Sequence, residues 1–160
     1  MSAFPESSQT ERKFIHVDYG KCTGCRICEL VCAQAHGSTA PSHSRIKVHT
    51  YFPGIDVPLL CRHCIEPPCF QCPADAMEIE EGTVLICEEK CIGCGVCEEN
   101  CPIGAIRIIE STAVKCDLCG KCIDLCPTHA LSWYTTTEEA DLTTPDIKAI
   151  TKALLGVEDV

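Results

Sequence analysis

Apolar and polar residues alternate along this chain only in short runs, which predicts short strands rather than long helices. Strands are predicted at residues 13–18, 45–51, 77–80 and 83–86. The first two runs have the two-residue period of half-buried strands. The last two flank Glu81-Gly82, which suits the turn of a β-hairpin.

Other short elements are predicted next to the cysteines. Residues 105–109 and 130–134 each follow a Cys-Pro pair and have the composition of strands. Single helical turns are predicted at residues 29–31, 98–100 and 123–125. The predicted fold class is therefore α+β with little regular secondary structure. No stretch of about 18 apolar residues occurs, so no membrane span is expected.

The two ends of the chain differ from the part between them. Residues 1–12 are polar and are predicted to form a flexible tail. The segment 136–160 contains a predicted short helix, with Thr144 as N-cap, Pro145 at the first helical position and Gly156 after its end. We expect this helix to pack on the chain's own domain, with docking to another subunit as the alternative.

Cysteine is the most informative residue type, with 17 copies among 160 residues. Sixteen of them form four quartets, numbered here in chain order: Cys22, Cys25, Cys28 and Cys32; Cys61, Cys64, Cys69 and Cys72; Cys91, Cys94, Cys97 and Cys101; Cys116, Cys119, Cys122 and Cys126. The first, third and fourth quartets share the spacing C-x2-C-x2-C-x3-C, so the chain is an internal repeat. The remaining Cys87 is predicted to be a small buried hydrophobe, with a substitute ligand or a redox thiol as the alternatives.

The quartet spacing indicates iron–sulfur chemistry. A [4Fe–4S] cluster binds one thiolate at each iron, and C-x2-C-x2-C is a loop short enough to supply three of them. In two-cluster ferredoxins the fourth cysteine binds the other cluster. Zinc ribbons use separated C-x2-C pairs, and disulfide scaffolds belong to secreted chains with an even cysteine count, so neither fits. The sequence predicts four [4Fe–4S] clusters with all sixteen quartet cysteines as metal ligands.

Charge and missing motifs limit the remaining function classes. The formal net charge is −10, which excludes nucleic acid as a partner because phosphate binding needs a basic face. A partner protein with a basic docking surface fits better. No secretory signal is found at the start of the sequence, so we expect a cytoplasmic protein. No flavin motif, phosphate-binding loop or independent acid–base pair is present, so we expect no catalytic residues and a chain that is not itself an enzyme.

The quartets resemble those of the four-cluster, polyferredoxin-type iron–sulfur subunits of molybdenum and tungsten oxidoreductases, over residues 13–135. That resemblance implies two pseudo-symmetric ferredoxin-like modules, one nested in the other. The outer module would comprise residues 13–50 plus 105–135, and the inner module residues 51–104. Sequential pairing of the first with the second quartet, and of the third with the fourth, stays open because the spacing alone does not exclude it.

The same resemblance implies four sites, each built from three cysteines of one quartet and the last cysteine of another. Site A is Cys22, Cys25, Cys28 and Cys126; site B is Cys116, Cys119, Cys122 and Cys32; site C is Cys61, Cys64, Cys69 and Cys101; site D is Cys91, Cys94, Cys97 and Cys72. The second quartet departs from the family pattern, with two residues rather than three before its last cysteine.

The compact fourth quartet resembles most the small iron–sulfur subunit of tungsten-containing aldehyde oxidoreductase, followed by that of class II benzoyl-CoA reductase. The resemblance implies a subunit that relays single electrons to or from a catalytic tungsten or molybdenum pterin subunit, and it leaves a flavin subunit and self-association open. A free-standing polyferredoxin carrier is the alternative function. His63, between Cys61 and Cys64, is able to donate a hydrogen bond to a cluster sulfur.

Overall fold

A computed structural model describes residues 12–136 of the chain, which form eight short strands and three short helices. The strands are β1 (Arg12–Val17), β2 (Lys47–Tyr51), β3 (Ile55–Leu59), β4 (Met77–Glu80), β5 (Thr83–Ile86), β6 (Arg107–Ile109), β7 (Thr112–Val114) and β8 (Leu131–Thr136). The helices are α1 (Ile27–Ala35), α2 (Val96–Asn100) and α3 (Lys121–Asp124), and two 3-10 turns lie at Pro41–His43 and Pro68–Phe70. This is the small mixed α+β architecture that the sequence predicts.

The first and last described strands, β1 and β8, pair as an antiparallel two-stranded sheet. Val17 lies opposite Leu131, and Phe14 lies opposite Tyr134 with ring centroids 5.0 Å apart. Ile15 and Leu131 are buried beneath this sheet. The sheet therefore joins residues that are more than a hundred positions apart in sequence.

The other six strands form three local hairpins, β2–β3, β4–β5 and β6–β7. In the β4–β5 turn, Glu81 and Gly82 have φ angles of 48° and 79°. In the β6–β7 turn, Glu110 and Ser111 have φ angles of 48° and 67°. Positive φ at both loop residues defines the type I′ turn, whose twist matches that of the flanking strands. The predicted hairpin at Glu81-Gly82 is confirmed.

The buried side chains form two clusters, and cysteines belong to both. Core 1 contains Ile15, Cys28, Cys32, Ile46, Val48, Leu60, Cys116, Cys122 and Leu131. Core 2 contains Cys69, Met77, Val84, Cys97, Ile106 and Ala113. Cysteines of the first and fourth quartets thus pack in core 1, and those of the second and third in core 2, with the exception of Cys61, which packs against core 1.

Basic side chains connect the elements around the two cores. Arg12 on β1 donates a hydrogen bond of 2.6 Å to the carbonyl of Gly82 in the β4–β5 turn. Arg107 on β6 donates to the carbonyl of Ser44, which precedes β2. Hydrogen bonds from a charged donor are stronger than neutral ones, so these contacts fix the hairpins against the rest of the chain.

Early in the chain the structure contains one strand that was not predicted, and other elements differ from their prediction. The unpredicted strand, β3, contains Pro58, which is tolerated because β2 and β3 form a sheet of only two strands. Helix α1 has nine residues instead of the single predicted turn, because Leu30, Ala33 and Ala35 are favourable helix residues. Arg12 lies in β1 rather than in the predicted tail.

Residues 1–11 and 137–160 lie outside the described residues, and the predicted C-terminal helix lies among them. Within residues 12–136, no helix combines the length and the apolar character needed to cross a membrane.

Candidate iron–sulfur centres

Site A lies where the first quartet meets the end of the fourth. Cys22, Cys25, Cys28 and Cys126 all line one small cavity, which is closed on its apolar side by Leu131 and by residues of β2 and β3. Burial raises the pKa of the Cys22 thiol, and the neighbouring Cys25 and Cys126 raise it further. Four thiols around one cavity match the ligand set of a [4Fe–4S] cluster.

Site B lies where helix α1 packs against helix α3. Burial raises the pKa of the Cys122 thiol to about 12, and the nearby Cys32 and Cys119 contribute to this rise. Burial also raises the pKa of Cys119, and Cys32 again contributes. Cys32 is therefore close to cysteines of the fourth quartet, some ninety residues further along the chain.

Site C has the first three cysteines of the second quartet and the last cysteine of the third. Burial raises the pKa of Cys69 to about 12, with Cys61, Cys101 and Cys64 adding to the effect. Burial likewise raises the pKa of Cys64, and both Cys61 and Cys101 contribute. Cys101 thus lies beside the first three cysteines of the second quartet.

Site D has the reciprocal arrangement. Burial raises the pKa of Cys97, and the nearby Cys72 and Cys91 add to it. Helix α2, which carries Cys97, packs against the 3-10 turn Pro68–Phe70 that precedes Cys72. Cys94 is exposed, as are Cys25 and Cys119 at the same position of their quartets.

A left-handed residue recurs in all four cysteine loops, two positions after the first cysteine. Gly24, His63, Gly93 and Leu118 have φ angles of 66°, 50°, 63° and 63°. Loops with such residues turn successive N–H groups toward one point, which creates a cradle for an anion. At Gly93 a side chain is also excluded by space, because an added Cβ would lie 2.3 Å from the main-chain oxygen of Ser111.

Main-chain N–H groups already point at several thiol sulfurs. The N–H of Ala105 donates to Cys101 Sγ and that of Ala130 donates to Cys126 Sγ, both at 3.3 Å. These two donors occupy the same repeat position, four residues after the last cysteine of a quartet. N–H donors to sulfur stabilise thiolate ligands and tune the potential of an iron–sulfur cluster.

One buried polar atom has no partner within residues 12–136. It is Nε2 of His63, whose other ring nitrogen, Nδ1, accepts a hydrogen bond of 3.1 Å from the N–H of Val84. A buried donor without an acceptor is rare in proteins and usually indicates a missing partner. Together with the grouped thiols, this atom fits a chain whose resident [4Fe–4S] clusters supply the remaining acceptors.

Cys87 is half-buried rather than fully buried. Its main chain makes the contacts that matter locally, because its N–H donates to Ala76 and its carbonyl accepts from Cys91 at 3.1 Å. These hydrogen bonds place the start of the third quartet after β5. Its predicted lack of a metal-binding role stays a prediction.

Three charged residues lie near the cysteine sites, and the sequence alone did not predict their contacts. Lys115 is buried, although the sequence shows only a lysine before a cysteine. The carboxylate of Asp56 lies against Gly24 in the first quartet's loop. Asp117 bonds both His36 and Arg45 at 2.9 Å, and these contacts lower its pKa although burial acts in the opposite direction.

Known proteins resemble this chain over about three quarters of its length. Residues 14–38, 88–107 and 113–132 match families described as 4Fe-4S binding domains. The polyferredoxin-like subunit of the aliphatic sulfonate oxidoreductase of Pyrococcus furiosus is 44% identical over 125 residues, which cover 72% of this chain and 72% of that subunit. The electron transport protein HydN of Escherichia coli (strain K12) is 33% identical over 151 residues, covering 74% of this chain and 86% of HydN.

More distant or longer proteins also match. UacF of Escherichia coli (strain K12) is 39% identical over 132 residues, but these cover only 21% of UacF against 74% of this chain. A chain of the active site complex BamBC of benzoyl coenzyme A reductase superposes with a TM-score of 0.45 and 22% identity over 91% of both chains. At that score the likeness carries no conclusion about this chain.

Proposed function

This chain belongs to the family of polyferredoxin-like 4Fe–4S electron-transport proteins. On that premise, we propose that it holds four [4Fe–4S] clusters at sites A to D and relays electrons to or from a catalytic oxidoreductase subunit. The observation that carries the proposal is the grouping of the thiols, because cysteines of one quartet lie near the last cysteine of another quartet. The cavity shared by the four cysteines of site A supports it most directly.

The nested arrangement of modules is part of the proposal. Pairing of β1 with β8 supports an outer module, since it joins the start and the end of the described chain around sites A and B. Core 2 supports an inner module around sites C and D. Ile106 and Ala113 pack in core 2, which favours a boundary after the β6–β7 hairpin rather than at residue 104.

The chain's own residues have a limited set of tasks in such a relay. When bound, the clusters supply one-electron transfer. The cysteine loops fix the positions of the clusters, the N–H donors to sulfur adjust their potentials, and apolar residues such as Leu131 keep water out. None of these tasks requires an acid, a base or a nucleophile, so the chain is proposed to act without catalysing a reaction itself.

The catalytic partner is proposed to be a tungsten or molybdenum pterin subunit, with tungsten-containing aldehyde oxidoreductase first and a benzoyl-CoA reductase second. The family-level support is the relative from Pyrococcus furiosus, whose name makes it a subunit of an oxidoreductase. The compact fourth quartet supports the choice of enzyme type. A flavin subunit is proposed only as a possible further member of the complex, and a reducing compartment such as the cytoplasm suits a chain with 17 unpaired cysteines.

Anaerobic purification from the native host tests both halves of this proposal. Iron and acid-labile sulfide analysis is expected to give about sixteen of each per chain. A value near eight would contradict the four-cluster claim. Native mass spectrometry of the same preparation is expected to show the chain bound to a larger subunit, whereas a chain that elutes alone with its clusters intact would favour the free-standing carrier.

A further inference from the structure

Three lysines occupy the same position of the internal repeat, directly before the first cysteine of the first, third and fourth quartets. They are Lys21, Lys90 and Lys115. The side chain of Lys21 is 60% exposed and pairs with Asp18 at 2.9 Å. The side chain of Lys90 is 52% exposed and pairs with Glu78 at 2.6 Å. Two of the three lysines are therefore ordinary surface residues with carboxylate partners.

Lys115 is different from its two counterparts. It is 3% exposed, and its ammonium donates to the carbonyl of Val84 and, at 3.1 Å, to the carbonyl of Cys116. No carboxylate of residues 12–136 forms an ion pair with it. Burying a charge without a counter-charge is strongly unfavourable. An anion beside Lys115 is therefore expected in the working protein.

The thiols of site C are next to this buried ammonium. Val84, whose carbonyl accepts a hydrogen bond from Lys115, packs with Cys69 in core 2. In keeping with this position, burial raises the pKa of Cys61 and the charge of Lys115 opposes the rise. A [4Fe–4S] cluster with four thiolates carries about two negative charges when oxidised and one more when reduced. Such a group at site C would supply the missing counter-charge.

His63 gives a second, independent indication at the same place. Its Nδ1 accepts the N–H of Val84, so in the neutral ring the proton is on Nε2. His63 is 3% exposed, and its Nε2 has no acceptor within residues 12–136. His63 lies between Cys61 and Cys64, and its own N–H donates to Cys61 Sγ at 3.4 Å. Val84 thus orients both Lys115, through its carbonyl, and His63, through its N–H.

We propose that Lys115 and the Nε2–H of His63 act together as positioning residues that stabilise the reduced form of the cluster at site C, so that site C has the highest reduction potential of the four sites. The inference rests on the proposed function in one respect, which is that site C holds a cluster. A cluster held at site C would take up one electron from the redox centre of the catalytic subunit and would pass the same electron to the next site, while His63 would keep its Nε2 proton throughout.

In the described part of the chain, the other three sites lack a buried, unpaired ammonium of their own. At site A, the carboxylate of Asp56 lies against Gly24 in the cysteine loop, and the buried Glu29 directly follows Cys28. At site B, the carboxylate of Asp117 accepts a hydrogen bond of 3.2 Å from the N–H of Cys119. At site D, the corresponding lysine, Lys90, is exposed and paired with Glu78. Nearby carboxylates disfavour an added electron, whereas a buried ammonium favours it. Lys115 also donates to the carbonyl of Cys116 at site B, but there the carboxylate of Asp117 opposes its charge, so site C is expected to be reduced first.

Redox titration of the iron-loaded chain, followed by electron paramagnetic resonance, tests the proposal. Lys115→Met keeps the length of the side chain and removes its charge, and it is expected to lower the equilibrium constant for reduction of one cluster at least tenfold, or by about 59 mV. Lys90→Met is the matched control, since it removes the same charge from the same repeat position at the surface. It is expected to change every potential by less than about threefold because solvent screens that charge. Equal, small effects of the two variants, with iron content unchanged, would overturn the proposal.

Two further measurements keep the proposal testable if Lys115→Met does not assemble. His63→Phe keeps a ring of similar size without the donor, and it is expected to lower the potential of the same cluster. In the unchanged protein with 15N-labelled histidine, the reduced cluster of highest potential is expected to show a hyperfine coupling to a histidine nitrogen. An unchanged potential in His63→Phe, or no such coupling, would overturn the role of His63. Iron content near eight in the unchanged protein would instead contradict the proposed function, so the two failures are distinguishable.

Discussion

At the scale of single residues, the left-handed position two residues after the first cysteine shows that the backbone conformation of each loop does not require one particular residue type. The position is Gly24, His63, Gly93 or Leu118 in the four quartets, so its backbone conformation is common to all four while its side chain is not. Glycine is required only where another part of the chain comes close. Gly93 is such a place, because the main chain of Ser111 lies directly against it.

Gly93→Ala is expected to cost the chain one cluster, whereas Gly104→Ala is not. The two glycines have almost the same φ, 63° and 64°, so alanine meets a similar backbone strain of about 1–2 kcal/mol at both. An added Cβ at Gly93 would lie 2.3 Å from the oxygen of Ser111, while at Gly104 it would meet nothing within 4 Å. Anaerobic iron analysis is expected to give about twelve iron atoms in Gly93→Ala and about sixteen in Gly104→Ala. Equal iron content in the two variants would show that the clash is relieved without moving site D.

Cys87→Ser is expected to leave iron content and the spectrum of the reduced protein unchanged. The local contacts of Cys87 are made by its main chain, with Ala76, Lys90 and Cys91 as partners, and the substitution preserves them. The free energy of unfolding should change by no more than about 0.5 kcal/mol, as is usual for a residue away from the core. Loss of a whole cluster would identify Cys87 as a ligand in place of one of the sixteen.

At the scale of elements, the sequence predicted the hairpin whose strands and turn have typical residues. Strands β4 and β5 and their turn are fully specified by a short apolar run, a Glu-Gly pair and a second run. The β6–β7 hairpin was not predicted, because Glu110-Ser111 is not a typical type I′ pair and the structure holds it by packing in core 2. The burial of Lys115 could not be predicted either. It depends on the β4–β5 hairpin, whose Val84 lies 31 residues earlier in the chain.

The sheet of β1 and β8 offers a test of how an element supports a site. Leu131→Ala is expected to lower the free energy of unfolding by about 2–5 kcal/mol, because Leu131 is buried in core 1 and closes the cavity of site A. Thr135→Ala, on the exposed end of the same strand, is expected to change it by no more than about 0.5 kcal/mol. Anaerobic denaturation of the iron-loaded protein, followed by the loss of visible absorbance, measures both. Similar stability of the two variants would mean that β8 does not depend on core 1.

At the scale of the whole molecule, the order of the quartets in sequence differs from their grouping in space. Helices α1 and α3 pack together although the second and third quartets lie between them in sequence, and β1 pairs with β8 across the same interval. The first and fourth quartets come close to the second and third quartets at Cys116 and Cys61. Burial raises the pKa of Cys116, and the nearby Cys61 contributes to the rise. With Lys115 at the same place, this contact is the expected crossing point for electrons between the modules.

Paired removal of cysteines distinguishes nested from sequential grouping by counting iron. Under nesting, Cys25 and Cys126 bind the same cluster at site A, which the cavity that they share supports. Cys25→Ala, Cys126→Ala and the double variant are then each expected to retain about twelve iron atoms, because the second removal affects a cluster that is already lost. Under sequential grouping, Cys126 binds a cluster of the third quartet, and the double variant retains about eight. The control is Cys25→Ala combined with Cys101→Ala, which removes ligands of two different clusters under either grouping and is expected to retain about eight. A double variant of Cys25 and Cys126 with as little iron as this control would end the nested arrangement and, with it, the crossing point beside Lys115.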